Sequence, residues 1–391
     1  MKTTDISYIL NELGEDREHY FNAVAPPIMQ TSNFRFSKVD ALRSAFEDEM
    51  STYLYSRGLN PTVDILRKKL AALDGAEDCL IFNNGAAAIF AGMMANVKAG
   101  DHIVAVEKPY TWVQRMLDNI FTRFGIEVTY VDGRDAANYF NATKSNTTFY
   151  YLESPNSWNM QLQDIKAITA FARQHNITTL IDNTYCTPIY QNVIEMGVDL
   201  AMQTATKYIG GHSDVLGGVL SGSSRMIKKI FDSEYNSLGN GTSPFNAWLM
   251  IRGMRTLQAR LDRINCTTQQ VVAFVKQHSA VSSILYPFDE NFPQYTLARA
   301  QMKEAPGLFS FYVKAASRNQ IVTFCESLRH IMMAVSWGGH ESLLLPKCAG
   351  IKDADFNPQN PEHQMLRMYV GLEDADYLIK DLEQAFAIAF I

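Results

Sequence analysis

Residues able to carry covalent and acid–base chemistry collect where short apolar runs end. The run LAMQ (200–203) gives way to Thr204-Ala205-Thr206-Lys207, two hydroxyls and a primary amine at one point. TTLI (178–181) ends in Asp182-Asn183-Thr184, IVAV (103–106) leads to Tyr110, and CLIF (79–82) runs into NNGAAAIF, a glycine turn opening a helix. An amine can form a Schiff base with a carbonyl. Hydroxyls and the helix-start N–H groups of Gly85 and Ala86 can hold a phosphate, an aspartate can pair with a protonated ring nitrogen, and a tyrosine can stack on a planar ring. Each feature has an ordinary explanation when it stands alone: a turn, a cap or a solvated side chain. Together they describe a pyridoxal-phosphate site.

Other chemistries lack their signatures. There is no GxGxxG fingerprint or GxxxxGK[ST] loop, and the eight histidines form neither HxxxH nor HExxH, so no metal is expected.

The elements that must position these residues follow from periodicity. Asn60-Pro61, the apolar residues Val63, Leu66, Leu70 and Leu73, and Gly75 predict a helix with both ends marked. Seven β-branched or apolar runs, from 79–82 through 219–221, alternate with helical stretches. This pattern predicts a mostly parallel sheet with helices on both faces, whose ligands bind beyond the strands' carboxyl ends. After the polar segment SLGNGTSP (237–244), a helix over 245–260 and strands at 283–286 and 307–313 indicate a smaller α+β domain. The expected organisation is an N-terminal arm over 1–57, an α/β cofactor domain over 58–245 and a C-terminal domain over 246–391.

Length and composition agree with this plan. The chain has 391 residues, with 35 Lys+Arg against 41 Asp+Glu for a net charge of −6. It is long enough to bury real cores, and its mild acidity argues against nucleic acid or an anionic membrane as partner. Five scattered cysteines without a CxxC pair fit a reducing, cytoplasmic setting. The charged first twenty residues do not resemble a signal peptide, and the longest apolar run, Ala86–Ala95, falls short of the roughly 18 residues a membrane span needs. A small-molecule substrate is expected.

The sequence resembles the Cys/Met-metabolism family of fold-type I pyridoxal-phosphate enzymes. The segments that carry the resemblance include APPIMQTSNF (25–34), YSRGLNPT (55–62), LESPNSWNMQLQDI (152–165), IDNTYCTP (181–188), TATKYIGGHSDV (204–215), VSWGGHES (335–342) and RMYVGLED (367–374). By this resemblance Lys207 bears the cofactor, Asp182 holds the pyridine nitrogen and Tyr110 stacks on the ring. Gly85, Ala86, Thr204 and Thr206 hold the phosphate with Tyr55 and Arg57 from a neighbouring subunit, which implies a homo-oligomer, a tetramer built of dimers with shared sites. Arg367 and Ser336 meet the substrate carboxylate, with Trp337 beside them.

The chain departs from the common pattern at Asn84-Gly85-Ala86 and at Ser157, so the contact to the ring hydroxyl is open between Asn156 and Ser157. NGAAAI, ESPNSWNM and SWGGHES are similar to bacterial cystathionine β-lyases, whereas YSRGLNPT is similar to the γ-acting branches. The preferred expectation is a carbon–sulfur β-lyase that cleaves cystathionine to homocysteine, pyruvate and ammonia. The alternatives are activity of the cystathionine γ-lyase, cystathionine γ-synthase or methionine γ-lyase type and, more remotely, a catalytically idle cofactor binder.

Overall fold

The computed structural model describes residues 5–390 and resolves two compact units. The first four residues of the expected arm and the final Ile391 lie outside the described residues. The first unit comprises the chain through Ser154, Gln163–Gly210 and Asp214–Arg255; the second comprises Pro155–Leu162, Gly211–Ser213 and the chain from Thr256 onward.

A seven-stranded sheet runs through the first unit. Its strands are β1 (Asp78–Phe82), β2 (His102–Val106), β3 (Glu127–Val131), β4 (Thr147–Glu153), β5 (Thr178–Asp182), β6 (Leu200–Gln203) and β7 (Gly218–Gly222). Their spatial order is β1-β7-β6-β5-β4-β2-β3. The neighbours from β3 to β6 pair in parallel, and only β7 pairs antiparallel, with β6 and β1. The inner strands β2 and β6 are buried at every residue, covered on both faces, which is why they read as unbroken apolar runs rather than alternating ones; the edge strand β3 is only partly buried.

The helix Pro61–Asp74 starts and stops as its sequence dictates. Asn60 accepts the Thr62 N–H at 3.0 Å, and Gly75 takes φ +67°. This helix also anchors the N-terminal segment. Lys69 Nζ, fully buried, donates to the carbonyls of Ile9 (3.1 Å) and Leu10 (3.3 Å) and pairs with Glu15 at 3.1 Å, while Arg255 reaches the same carboxylate at 3.0 Å. Further along, Thr62 donates to Pro27 O, Asn60 to Met29 O and the Trp248 indole to Pro26 O. Residues 9–29 are therefore tied to their own chain at several points, while Phe21, Val24, Val39 and Phe46 stay exposed.

The second unit holds a five-stranded sheet of β8 (Val281–Leu285), β9 (Leu308–Val313), β10 (Met332–Met333), β11 (Leu343–Pro346) and β12 (Met365–Tyr369), in the order β10-β11-β12-β9-β8. The single helix expected over 245–260 is two helices, Pro244–Met254 and Leu257–Gln277, broken at Arg255-Thr256. The apolar spacing continues across the break, so periodicity alone does not reveal it. Among the described residues no helix is long and apolar enough to cross a membrane.

Candidate active site

Three strand ends of the first unit meet around two threonine hydroxyls. Asp182 closes β5, and its Oδ1 accepts both the backbone N–H of Thr184 (2.9 Å) and the Thr184 hydroxyl. That hydroxyl oxygen in turn accepts the N–H of Thr204 at 2.8 Å, so Thr184 couples the carboxylate to the first residue after β6. The Thr204 side chain reaches the turn after β1. A Cβ placed on Gly85 would fall 2.1 Å from Thr204 Oγ1, so only glycine lets the helix Gly85–Met94 begin against this hydroxyl. The first N–H groups of that helix have no acceptor within it, and Asn84 caps only the Ala87 N–H, at 2.8 Å. Backbone amides at a helix start beside a threonine hydroxyl form a cradle of the kind that binds phosphate.

The rest of the turn is held by the backbone. Lys207 N–H donates to Thr204 O at 3.1 Å, and Thr206 Oγ1 accepts the Gly217 N–H at 3.1 Å. Beneath it, Gln203 at the end of β6 donates to both oxygens of Asp74 (2.8 and 3.0 Å), and Ser221 on β7 donates to the same carboxylate at 2.6 Å. Burial pushes Asp74 up to about 7. This network fixes β6 at the point where Thr204–Lys207 leave the sheet.

Burial also raises Asp182 above the ordinary carboxylate range, opposed by its bonds from Thr184 and by the charge of Lys207. A carboxylate in this setting gains most from a cationic hydrogen-bond donor, and a protonated pyridine nitrogen is one. Tyr110 stands at the start of the helix Thr111–Met116, where its backbone N–H donates to Glu153 Oε2 at 2.6 Å. Glu153 ends β4 and is buried, whereas Tyr110 is 41% exposed, so the backbone is pinned and the phenol stands at the surface. Tyr55 and Arg57 are both exposed, with the guanidinium 5.4 Å from the Tyr55 ring centroid.

The chemistry of this donor set fits pyridoxal phosphate: an amine, a half-buried carboxylate within its electrostatic reach, an aromatic ring, and a cradle of amides and a hydroxyl. Thr184 and Glu153 were not foreseen. Thr184 had a signal in the Asp-x-Thr spacing, which favours a side-chain-capped turn; Glu153 had none, because its partner lies 43 positions away.

The residues expected to bind substrate fall in the second unit. Arg367 sits at the middle of β12, is 9% exposed and donates from Nη1 to Ser157 O at 3.1 Å. Ser336 takes φ +83°, uncommon for any residue but glycine, in the segment between β10 and β11. Trp337 follows it half-buried, and Val335 is exposed. The ring of Trp158 lies 4.6 Å from the Arg367 guanidinium, a neighbour that spacing gave no reason to expect.

Known proteins place the chain in a family. The family model described as Cys/Met metabolism PLP-dependent enzyme matches residues 9–387. The chain is 37% identical to an L-methionine gamma-lyase of Treponema denticola, over 93% of this chain and 92% of that protein. It is 33% identical to a cystathionine beta-lyase of Bacillus subtilis, over 93% and 91%. A crystal structure of cystathionine gamma-lyase from Lactobacillus plantarum complexed with L-serine superposes with a TM-score of 0.90 at 30% identity, covering 99% of each chain. With a cradle suited to the cofactor and a match along nearly its whole length, the chain belongs to the Cys/Met-metabolism family of pyridoxal-phosphate-dependent enzymes and is a carbon–sulfur lyase.

Proposed function

We propose that the enzyme cleaves the Cγ–S bond of a sulfur amino acid, with L-methionine as the leading substrate: L-methionine and water give methanethiol, 2-oxobutyrate and ammonia. The observation that carries this reading is the 37% identity to a methionine gamma-lyase over 93% of the chain, with a cystathionine gamma-lyase as structural neighbour. It replaces β-cleavage as the leading reading. Cystathionine β-cleavage remains the second reading because the residues flanking Ser336 are Val335 and Trp337, as in β-lyase-like sequences, and because of the 33% identity to a cystathionine beta-lyase.

In the proposed mechanism, pyridoxal phosphate supplies, when bound, an electron sink for the pair left at the substrate Cα. Arg367 takes the α-carboxylate as a rigid two-pronged partner, with Ser336 and Trp337 beside it. The Lys207 amine, released when the substrate amine takes its place, accepts the Cα proton; a desolvated amine near neutral pKa can do so. γ-Cleavage requires a second deprotonation, at Cβ, which falls to Lys207 only after it has passed the first proton on to the substrate–cofactor conjugate, and the Tyr110 hydroxyl hands a proton to the departing sulfur. Asp182 keeps the ring nitrogen charged, while Gly85, Ala86, Thr204 and Thr206 hold the phosphate.

The deciding experiment is product analysis with L-cystathionine. 2-Oxobutyrate with cysteine is expected; a predominance of pyruvate with homocysteine overturns γ-cleavage in favour of the second reading.

The proposal includes a second copy of the chain in the cytoplasm, because Tyr55 and Arg57 are exposed and so available to a neighbouring subunit's phosphate. An equimolar mixture of Arg57→Ala and Lys207→Ala chains tests this. Random pairing makes half the dimers hybrid, each with one intact site of two, so activity should recover to about a quarter of the wild-type level. If the mixture stays as inactive as its parts while mass spectrometry shows that subunits exchange, sharing is refuted.

A further inference from the structure

Trp158 occupies a position the proposed chemistry does not use, yet the second unit holds it with some care. Its backbone carbonyl accepts the Ser310 hydroxyl at 2.7 Å. Ser310 on β9 stands directly opposite Arg367 on β12 in the strand register, so one strand pair places both the arginine and the loop that carries the tryptophan. The loop is closed on itself by Asn156 N–H to Gln161 O (2.9 Å) and Met160 N–H to Asn156 O (3.2 Å), with Met160 at φ +56°.

The Arg367 guanidinium carbon lies 4.6 Å from the indole centroid, well within the range of a cation–π contact, and Nη1 donates to the neighbouring Ser157 carbonyl at 3.1 Å. Lys347 Nζ lies 5.6 Å from the same ring and is ion-paired with Glu362. Stacking against an aromatic face orients a guanidinium without consuming any of its N–H donors. A hydrogen bond from one nitrogen to a fixed carbonyl then sets the rotation within that plane.

We propose that Trp158 is a positioning residue for substrate recognition: its indole and the Ser157 carbonyl hold the Arg367 guanidinium in one plane, which sharpens selection for a free α-carboxylate. The inference rests on the reading of Arg367 as the carboxylate-binding group. It adds a residue outside the expected site, and a reason for an indole there: among side chains it offers the strongest face to a cation.

The test is calorimetric titration of the cofactor-loaded enzyme with L-norleucine, a methionine-length amino acid without a sulfur leaving group, and with L-norleucine amide. The readout is the ratio of the two dissociation constants. In the wild type the acid should bind the more tightly. Trp158→Leu, which keeps apolar bulk but lacks a π face, should shrink the ratio about five- to tenfold, and raise KM for the thioether substrate with kcat largely kept; Trp158→Phe should stay within about twofold of wild type. Should the leucine variant not fold by its thermal melt, Trp158→Met serves in its place. A ratio unchanged in Trp158→Leu, or lost equally in Trp158→Phe, overturns the proposal, since only packing would then matter. Arg367→Ala separates the two claims. If it abolishes the discrimination while Trp158→Leu does not, only the role of Trp158 falls; if it leaves the discrimination intact, the reading of Arg367 itself fails and the proposal with it.

Discussion

Replacing Lys207 with alanine should abolish turnover, lowering kcat by at least about three orders of magnitude, within the ~10²–10⁴-fold that a positioned proton-transfer group contributes. The amine has two tasks in the proposed mechanism, bearing the cofactor and accepting protons from the substrate, and no neighbour can take over either. Asp182, whose carboxylate feels the charge of Lys207, is committed through Oδ1 to Thr184. In the proposed site the phosphate is held by Gly85, Ala86, Thr204 and Thr206, which the substitution leaves in place, so cofactor should still associate. The absorbance of the lysine-linked form should vanish with the activity. Steady-state assay with a thioether amino acid and an absorption spectrum of the cofactor-loaded variant check both halves. A variant that keeps the lysine-linked band, or turns over within tenfold of wild type, contradicts the assignment.

Arg367→Ala should cost at least ~2 kcal/mol of transition-state binding, about a thirtyfold loss in kcat/KM, because a substrate carboxylate would be left without its charged partner. Arg367 is 9% exposed in the middle of a strand, where solvent replaces a lost ion pair poorly. Arg367→Lys should recover only part of the loss, since an ammonium is a point charge that cannot reproduce the planar fork. The fold should survive both changes: the strand's backbone pairs with β9 and β11 do not depend on the side chain. Kinetics of the two variants, with circular dichroism to verify folding, give the answer; unchanged catalytic efficiency in Arg367→Ala would remove it from the site.

Much of this architecture is legible in the sequence because parallel strands buried on both faces must be continuously apolar. The run LAMQ is β6 to the residue, and the other six strands of the first sheet extend their predicted runs by a residue or two. The helix Pro61–Asp74 is equally plain, since its cap residues are chemically distinctive. β11 was not foreseen: LLLP is short, ends in proline and acquires strand character by pairing with β12 and β10. The break at Arg255-Thr256 was hidden for the converse reason, since apolar periodicity persists through it.

At the candidate site, residue types were legible and partnerships were not. Lys207, Asp182 and Gly85 announce themselves by following strands, whereas the Thr184 hydroxyl that ties Asp182 to Thr204 depends on the alignment of β5 with β6. Glu153 under Tyr110, Asp74 under Gln203 and Trp158 against Arg367 likewise join positions 43, 129 and more than 200 residues apart. Side-chain networks of this reach are set by tertiary register, which local spacing does not encode.

Every other role proposed for the site depends on Lys207 bearing the cofactor. Wild-type enzyme loaded with pyridoxal phosphate, reduced with borohydride, digested and mapped by mass spectrometry should carry its pyridoxyl label on the peptide containing Thr204-Ala205-Thr206-Lys207, with one label per chain. A label on any other lysine, or none at all from a protein that binds the cofactor, would contradict it.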